Sequence, residues 1–299
     1  MVNVAISGGS GKVGRTILEV MKGQSRHQAF ILSRQPDGIE VGVPSLQVDY
    51  NDIQSLTRVL EGSEIHTVIS CIGYHGHSLR IAQMNLIKAA TASSTTRCFV
   101  PSTFGIAYPQ ESVNELPILA DYFSAIEELE KSGMQWTVFL NGCFLDYWAM
   151  PHIKSHLRPA PFAIDIAHRE AAIPGDGNSR ISFTYSFDVA RFVVASLDLE
   201  RWPAESRIAG DILTWNEFVR LAEKTLDCKF KITYDDIEKL KDSHMTELPS
   251  QIPCYETFSK PQFQWFIIYA HIPGELNAIF PDIKPITVKD MLETYWKAK

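Results

Sequence analysis

The chain has 299 residues, 45% of them hydrophobic and 21% charged, with a formal net charge of −7. Such a composition suits one large globular domain or two moderate ones. The acidic balance, without a Lys/Arg-rich block, lacks the electrostatic footprint of a nucleic-acid binder, and no apolar run reaches the length of a membrane span.

In chain order, the pattern predicts strands over Val2–Ser7, Ala29–Ser33, Leu46–Asp49, Thr67–Ile72, Cys98–Pro101 and Trp136–Asn141. Helical periodicity falls between them at Val13–Met21, Ile53–Leu60, Ser78–Thr91 and Asp121–Ser132. Strand alternating with helix at this rhythm implies a parallel sheet covered on both faces. Residues 151–180 are rich in Pro, His and Ala without clean periodicity, and read as loops and short helices. Beyond them, Arg180–Tyr185 and Lys229–Tyr234 read as strands. Asp188–Leu199, Thr214–Leu226, Asp235–Asp242 and Thr287–Trp296 read as helices, with Asp188 as the cap of its own. The expected fold is therefore α/β, a Rossmann-type doubly wound parallel sheet with a smaller C-terminal mixed α/β region. Residues 1–150 form the dinucleotide-binding domain, with 180–200 returning to it. Residues 151–179 and 201–299 form the substrate-binding region.

The N-terminus does not read as a signal peptide, since Val4–Ile6 runs straight into glycines with no basic segment before it. The five cysteines, Cys71, Cys98, Cys143, Cys228 and Cys254, form no CxxC pair. Reduced thiols in a cytoplasmic protein are the expectation.

Ser7-Gly8-Gly9-Ser10-Gly11-Lys12-Val13-Gly14 follows the first strand and opens the first helix. Gly9, Gly11 and Gly14 satisfy G-x-G-x-x-G, and Gly8, Gly11 and Gly14 satisfy G-x-x-G-x-x-G. One glycine permits the tight turn, one admits a pyrophosphate to backbone N–H groups, and one lets helix pack on strand. The helix N-terminus adds a partial positive charge. About 20 residues on, NAD enzymes place an acid to bond the ribose 2′-hydroxyl. Ser33-Arg34 stands there instead. A guanidinium suits a 2′-phosphate, and Lys12 adds a second charge, so the expected cofactor is NADP(H).

These residues, with Arg97–Gly105, Asn141–Phe144, Ile173–Asn178, Phe183-Thr184…Asp188-Val189 and Trp202-Pro203…Gly210-Asp211, resemble the NmrA-like and isoflavone-reductase-like atypical short-chain dehydrogenases, particularly their fungal branch. The resemblance spans nearly the whole chain. It implies that Thr103 and Phe104 lie beside the nicotinamide and Asp49 near the adenine. It sets Cys71-Ile72-Gly73-Tyr74 along the ribose and pyrophosphate, and Asn141, Gly142, Cys143 and Phe144 on the nicotinamide side. All sit at carboxyl ends of parallel strands, where open α/β sheets bind ligands.

One departure stands out. Isoflavone-reductase-like enzymes carry a catalytic lysine early in the helix before the sixth strand. The corresponding position here is Tyr122, within about a residue, and no lysine or arginine precedes Lys131 in that helix. The Tyr-x-x-x-Lys pair of typical short-chain dehydrogenases is absent too, since Ile126 stands where its lysine would be. A neutral tyrosine can donate a hydrogen bond to a developing oxyanion but is poorly suited to abstract a proton.

Asp146, Tyr147 and Trp148 follow the sixth strand and are expected to face the cleft; Asp146 is a candidate acid/base, or a helix cap. His152 is a candidate assistant. With His156 it has the spacing of one helix face, but the Glu of His-Glu-x-x-His is missing, and no metal is expected. His75 and His77 lie in the loop after the fourth strand. Tyr255, Phe258, Phe263, Trp265, Phe266 and Tyr269 read as core or as the wall of an apolar pocket.

The leading expectation is an NADPH-dependent oxidoreductase acting on an aromatic or conjugated small molecule of secondary metabolism, as monomer or homodimer. Its candidate catalytic residues are Tyr122, Asp146 and His152. The missing lysine leaves two alternatives: a non-redox cyclase, isomerase or ring-opening enzyme on the same fold, or a non-catalytic NADP-sensing regulator.

Overall fold

The computed structural model describes residues 1–24, 26–35, 42–73, 78–242, 244–250 and 269–297. The described residues divide into two compact units. The first is Met1–Phe104, Pro109–Phe139 and Ala190–Ser206; the second is Gly105–Tyr108, Leu140–Val189 and Arg207–Lys299. Residues 140–150, expected with the first domain, cluster with the second unit. Of 180–200, only 190–200 returns to the first.

The first unit begins β1 (Asn3–Ser7), α1 (Lys12–Gln24), β2 (Gln28–Ser33), β3 (Ser45–Gln47), α2 (Ile53–Gly62) and β4 (Ile65–Ser70). A π-helical turn, Leu79–Gln83, leads into α3 (Met84–Ala92), then β5 (Cys98–Val100), α4 (Leu119–Lys131) and β6 (Gln135–Trp136). Six strands pair in the order β3-β2-β1-β4-β5-β6, parallel throughout. The order reverses between β1 and β4, and there a doubly wound sheet opens its ligand crevice. Ile6 lies opposite Ile31 on one side and Ile69 on the other. Val4, Ala5, Ile6, Val68 and Ile69 are wholly buried, as central parallel strands require. Each Val or Ile among them contributes about 2 kcal/mol of burial free energy. One face packs Ala5, Leu32, Val68 and Phe99 against Leu56, Leu86, Ala90 and Leu129. The helices meet that demand by spacing: α4 buries Leu119, Tyr122, Ala125 and Leu129, a single stripe at helical period.

The predicted sixth strand is two strands. β6 stays in the large sheet, Gln135 opposite Cys98 and Trp136 opposite Phe99. The chain leaves that sheet at Thr137, whose hydroxyl meets that of Ser206 at 2.8 Å, and Val138 donates its N–H to Ala204. β7 (Val138–Leu140) pairs with β12 (Glu205–Arg207) instead.

The second unit holds two three-stranded sheets. In one, β11 (Arg180–Thr184) lies between β8 (Cys143–Phe144), parallel to it, and β13 (Asp211–Thr214), antiparallel. In the other, β10 (Glu170–Pro174) lies between β9 (Ile164–Asp165) and β14 (Lys231–Asp235). β9 and β10 fall where only loops and short helices were expected. Short helices α5 (Asp146–Ala149), α8 (Ile237–Lys241) and α9 (Glu275–Ile279) accompany α7 (Trp215–Leu226) and α10 (Val288–Tyr295). Thr214 and Thr287 close capping boxes on α7 and α10. α6 (Ser186–Ser196) begins in this unit. Its core is aromatic: Trp148, Phe183, Trp215 and Phe218 are buried, with Phe183 edge-on to Trp148 at 5.3 Å and to Phe218 at 5.3 Å. Trp148 was expected to face a cleft; at 2% exposure it is core. Among the described residues no helix is long and apolar enough to cross a membrane.

Candidate functional site

The glycine loop joins β1 to α1 at the switch point. Gly8 has φ +72°, and a Cβ on it would stand 2.4 Å from the Cys71 carbonyl oxygen at the end of β4. No other residue type fits that conformation and that approach together. Gly11 donates its N–H to the Gly8 carbonyl at 2.9 Å and closes the turn. Gly9 and Gly14 are buried; Ser10, Gly11 and Lys12 are exposed, and Val13 is half-buried. A Cβ on Gly9 would meet Leu18 at 2.9 Å and Ile31 at 3.1 Å, so this glycine sets the closeness of helix to strand. The first turn of α1 carries no acidic side chain. A helix N-terminus without an acid of its own accepts an outside anion. The cradle therefore fits a pyrophosphate.

Ser33 and Arg34 follow on the β2 side. The Ser33 hydroxyl donates to the Gln35 carbonyl at 2.7 Å, forming a local turn. Arg34 is exposed, and its charge reaches the Tyr50 hydroxyl and opposes that group's rise in pKa. Tyr50 was not foreseen. Its hydroxyl lies 2.6 Å from the Ser7 hydroxyl and donates to the Leu32 carbonyl at 3.2 Å. One phenol thus latches the ends of β1 and β2. Burial pushes its pKa up to about 12. Asp49 is exposed and folds its carboxylate onto the Asn51 backbone and side-chain amides.

The ends of β4 and β5 complete the row. Cys71 donates its N–H to Ser7, and burial pushes its thiol well above the ordinary cysteine range. Ile72 is half-buried and Gly73 exposed. Tyr74, His75 and His77 lie outside the described residues. Thr103 is buried; Phe104 stacks on Phe139 with ring centroids 6.0 Å apart. The structure thus lines up Gly8–Gly14, Ser33-Arg34, Asp49, Cys71–Gly73 and Thr103-Phe104 at carboxyl ends of strands in one unit, the side on which such sheets bind ligands.

Tyr122 also belongs to this unit. It is 7% exposed, on the buried stripe of α4. Burial first, and the Glu205 carboxylate second, push its pKa up to about 12. It is a neutral phenol at any ordinary pH.

The second unit holds the other predicted residues. Asn141 and Gly142 donate their N–H groups to the Gly105 carbonyl at 2.9 and 3.0 Å. Gly142 has φ +67°, and a Cβ there would sit 2.1 Å from the Ser182 carbonyl oxygen. The Thr184 hydroxyl donates to the Asn141 carbonyl at 2.7 Å. Asn141 is fully buried, and its Oδ1 meets no donor among the described residues. Cys143 and Phe144 are buried as β8, and burial raises the Cys143 pKa.

Asp146 is wholly buried. Its Oδ1 accepts the Ser155 and Ser186 hydroxyls at 2.5 and 2.6 Å, and its Oδ2 the Ser186 N–H at 2.8 Å. Burial raises its pKa, against those hydrogen bonds. The carboxylate ties the start of α6 to residue 155. His152 is half-buried, its ring edge-on to Trp296 at 5.0 Å. His152 and His156 lie in turns beyond α5 and share no helix face. Among the described residues no group of three His, Cys, Asp or Glu side chains is placed to hold a metal. The Asp188 carboxylate accepts the Ile286 N–H at 2.8 Å from the first turn of α6. Of the six late aromatics only Tyr269 lies within the described residues, half-buried.

Residues 8–147 match the family model described as NAD(P)H-binding. Over 296 residues the chain is 34% identical to oxidoreductase BOA1 of Botryotinia fuckeliana, covering 95% of this chain and 96% of that one. It is 27% identical to phenylcoumaran benzylic ether reductase Betv6 of Betula pendula, covering 98% of each. The binary complex of leucoanthocyanidin reductase with NADPH from Vitis vinifera superposes with a TM-score of 0.75 at 19% identity, over 99% of this chain and 100% of that one. The chain is an oxidoreductase with an NAD(P)H-binding domain.

Proposed function

We propose, on the premise that the chain belongs to the NmrA-like and isoflavone-reductase-like atypical short-chain dehydrogenases, that it is an NADPH-dependent reductase of an aromatic or conjugated small molecule in secondary metabolism. The observation that carries the cofactor half of this reading is the acid-free cradle at the switch point, with the Arg34 charge at the end of β2. Arg34 and Lys12 would hold the 2′-phosphate, the N–H groups of residues 10–14 the pyrophosphate. Thr103 and Phe104 would flank the nicotinamide. When bound, the cofactor supplies hydride, and the protein supplies orientation and an oxyanion partner. Relatives such as the phenylcoumaran benzylic ether reductase support an aromatic substrate.

Proton delivery is assigned to Tyr122 as a neutral hydrogen-bond donor. Asp146 has both carboxylate oxygens engaged and no exposed surface. We assign it to positioning rather than to acid/base work.

A second reading rests on α4. A phenol held neutral beside Glu205, where the family has a lysine, favours a protein that keeps its cofactor unconsumed: a non-redox cyclase, isomerase or ring-opening enzyme, or a regulator that senses NADP. Incubation with NADPH and a panel of conjugated aromatic compounds separates the readings. Reduction consumes one reduced nicotinamide per product, followed by its absorbance. Product without that loss assigns the non-redox enzyme. Tight NADPH binding without any product assigns the regulator.

A further inference from the structure

Ser102 is the second residue beyond β5, and its buried amide has left the sheet. That N–H donates to Oε1 of Gln83 at 2.8 Å, while the Ser102 hydroxyl donates to the Ile72 carbonyl at 2.9 Å. The loops after β4 and β5 are therefore pinned to each other and to residue 83. The Ser78 hydroxyl adds a bond to the Gly73 carbonyl at 2.5 Å.

Gln83 is 1% exposed and closes the π-helical turn Leu79–Gln83. Behind it, α3 buries Leu86, Ile87 and Ala90. Positions 83, 86, 87 and 90 form one stripe at helical spacing. A polar amide thus occupies a post in an otherwise apolar stripe, where it must find a partner inside the protein. A π-turn holds one residue more than an α-turn, which rotates the residues around it by about 100°. Such turns gather at functional sites. The partner that Gln83 finds is the loop that carries Thr103 and Phe104.

We propose that Gln83 is a positioning residue for the nicotinamide half of the cofactor. It fixes the backbone of residues 102–104, so that this loop meets the nicotinamide in one conformation. The inference rests on the reading above that Thr103 and Phe104 flank the nicotinamide. Gln83 touches neither cofactor nor substrate; it acts through Ser102. The adenine half, held by Gly8–Gly14 and Arg34, does not depend on it.

Two probes split the halves: NADPH, and adenosine 2′,5′-bisphosphate, which has the adenine and 2′-phosphate but no nicotinamide. In the wild-type protein, hydrogen exchange over residues 98–106 should slow with NADPH and not with the bisphosphate. No slowing with NADPH overturns the placement of the loop, whatever Gln83 does. Gln83→Leu removes the acceptor; it should weaken NADPH about tenfold and leave the bisphosphate within about twofold. Gln83→Glu keeps an acceptor oxygen and should restore NADPH to within about threefold of wild type. Unchanged NADPH affinity in Gln83→Leu overturns the proposal, and so does a parallel loss for both probes, the mark of a general structural role. If Gln83→Leu does not fold, Gln83→Asn, which withdraws the amide by one bond, carries the same expectation and the same two refutations.

Discussion

Gly14 packs on Gly8 backbone to backbone: a Cβ on Gly14 would stand 2.4 Å from the Gly8 carbonyl oxygen and 3.0 Å from the Gly9 Cα. No rotamer relieves a clash with main chain. Gly14→Ala should therefore push the loop off the helix and weaken NADPH by at least about a hundredfold. Gly23, near the end of α1, has nothing within 4 Å of a built Cβ. Gly23→Ala should leave binding alone and stabilise the protein by about 0.5–1 kcal/mol. Fluorescence titration with NADPH and thermal melts of both variants check the contrast; equal NADPH affinity in Gly14→Ala and wild type would refute it.

Arg34 is exposed, so its contribution is one of charge and is screened by salt. Arg34→Ala should weaken NADPH by about 1.5–3 kcal/mol, roughly ten- to a hundredfold, and leave NADH nearly unchanged. Raising the ionic strength should narrow the preference of the wild type and not that of the variant. Equal affinity of the wild type for the two cofactors would remove Arg34 from 2′-phosphate recognition.

Tyr50 and Tyr122, each pushed up to about 12 mainly by burial, make stability depend on alkaline pH. In the unfolded chain a tyrosine loses its proton near pH 10. Between about pH 10 and 12 the unfolded state binds fewer protons than the folded one, so stability falls as pH rises. The contribution is whole below about pH 10 and lost through about pH 12. Melting temperature should decline over that window, and less steeply in Tyr50→Phe and Tyr122→Phe. Tyr122→Phe serves a second purpose, since unchanged turnover would take the phenol out of proton delivery.

Asp146→Ala should act on folding. It strands the Ser186 N–H and two hydroxyls that the carboxylate now accepts. Loss of about 3 kcal/mol is expected, or a melting temperature lower by roughly 6–12 °C. NADPH affinity of the folded fraction should stay near wild type. A variant as stable as wild type, with turnover abolished, would return Asp146 to acid/base chemistry.

Much of the first unit was legible because buried parallel strands announce themselves. Val4–Ile6 and Val68-Ile69 are apolar without alternation, and the glycines between β1 and α1 are demanded by backbone geometry, which leaves its mark on residue type. The split at Thr137 was not legible: a β-branched residue suits a strand, and only Ala204 and Ser206, far along the chain, show which sheet the chain joins next. β10, Glu-Ala-Ala-Ile-Pro, hides for another reason. Four of its five residues are buried, so polar alternation is absent, and alanine is a poor strand former. Asp146 looked equally like an acid or a cap, since its partners at Ser155 and Ser186 lie 9 and 40 residues away. Gln83 did leave a trace, as one polar residue on the apolar stripe of a predicted helix.

The phenol of Tyr50 gives the site a property that no single contact has. By bridging Ser7 and Leu32 it joins the strand that leads to Gly8 to the strand that leads to Arg34. On the proposed roles of the glycine loop and Arg34, a change at Tyr50 should loosen pyrophosphate grip and 2′-phosphate preference together. A cofactor swap here should therefore be made at position 34 with Tyr50 left in place.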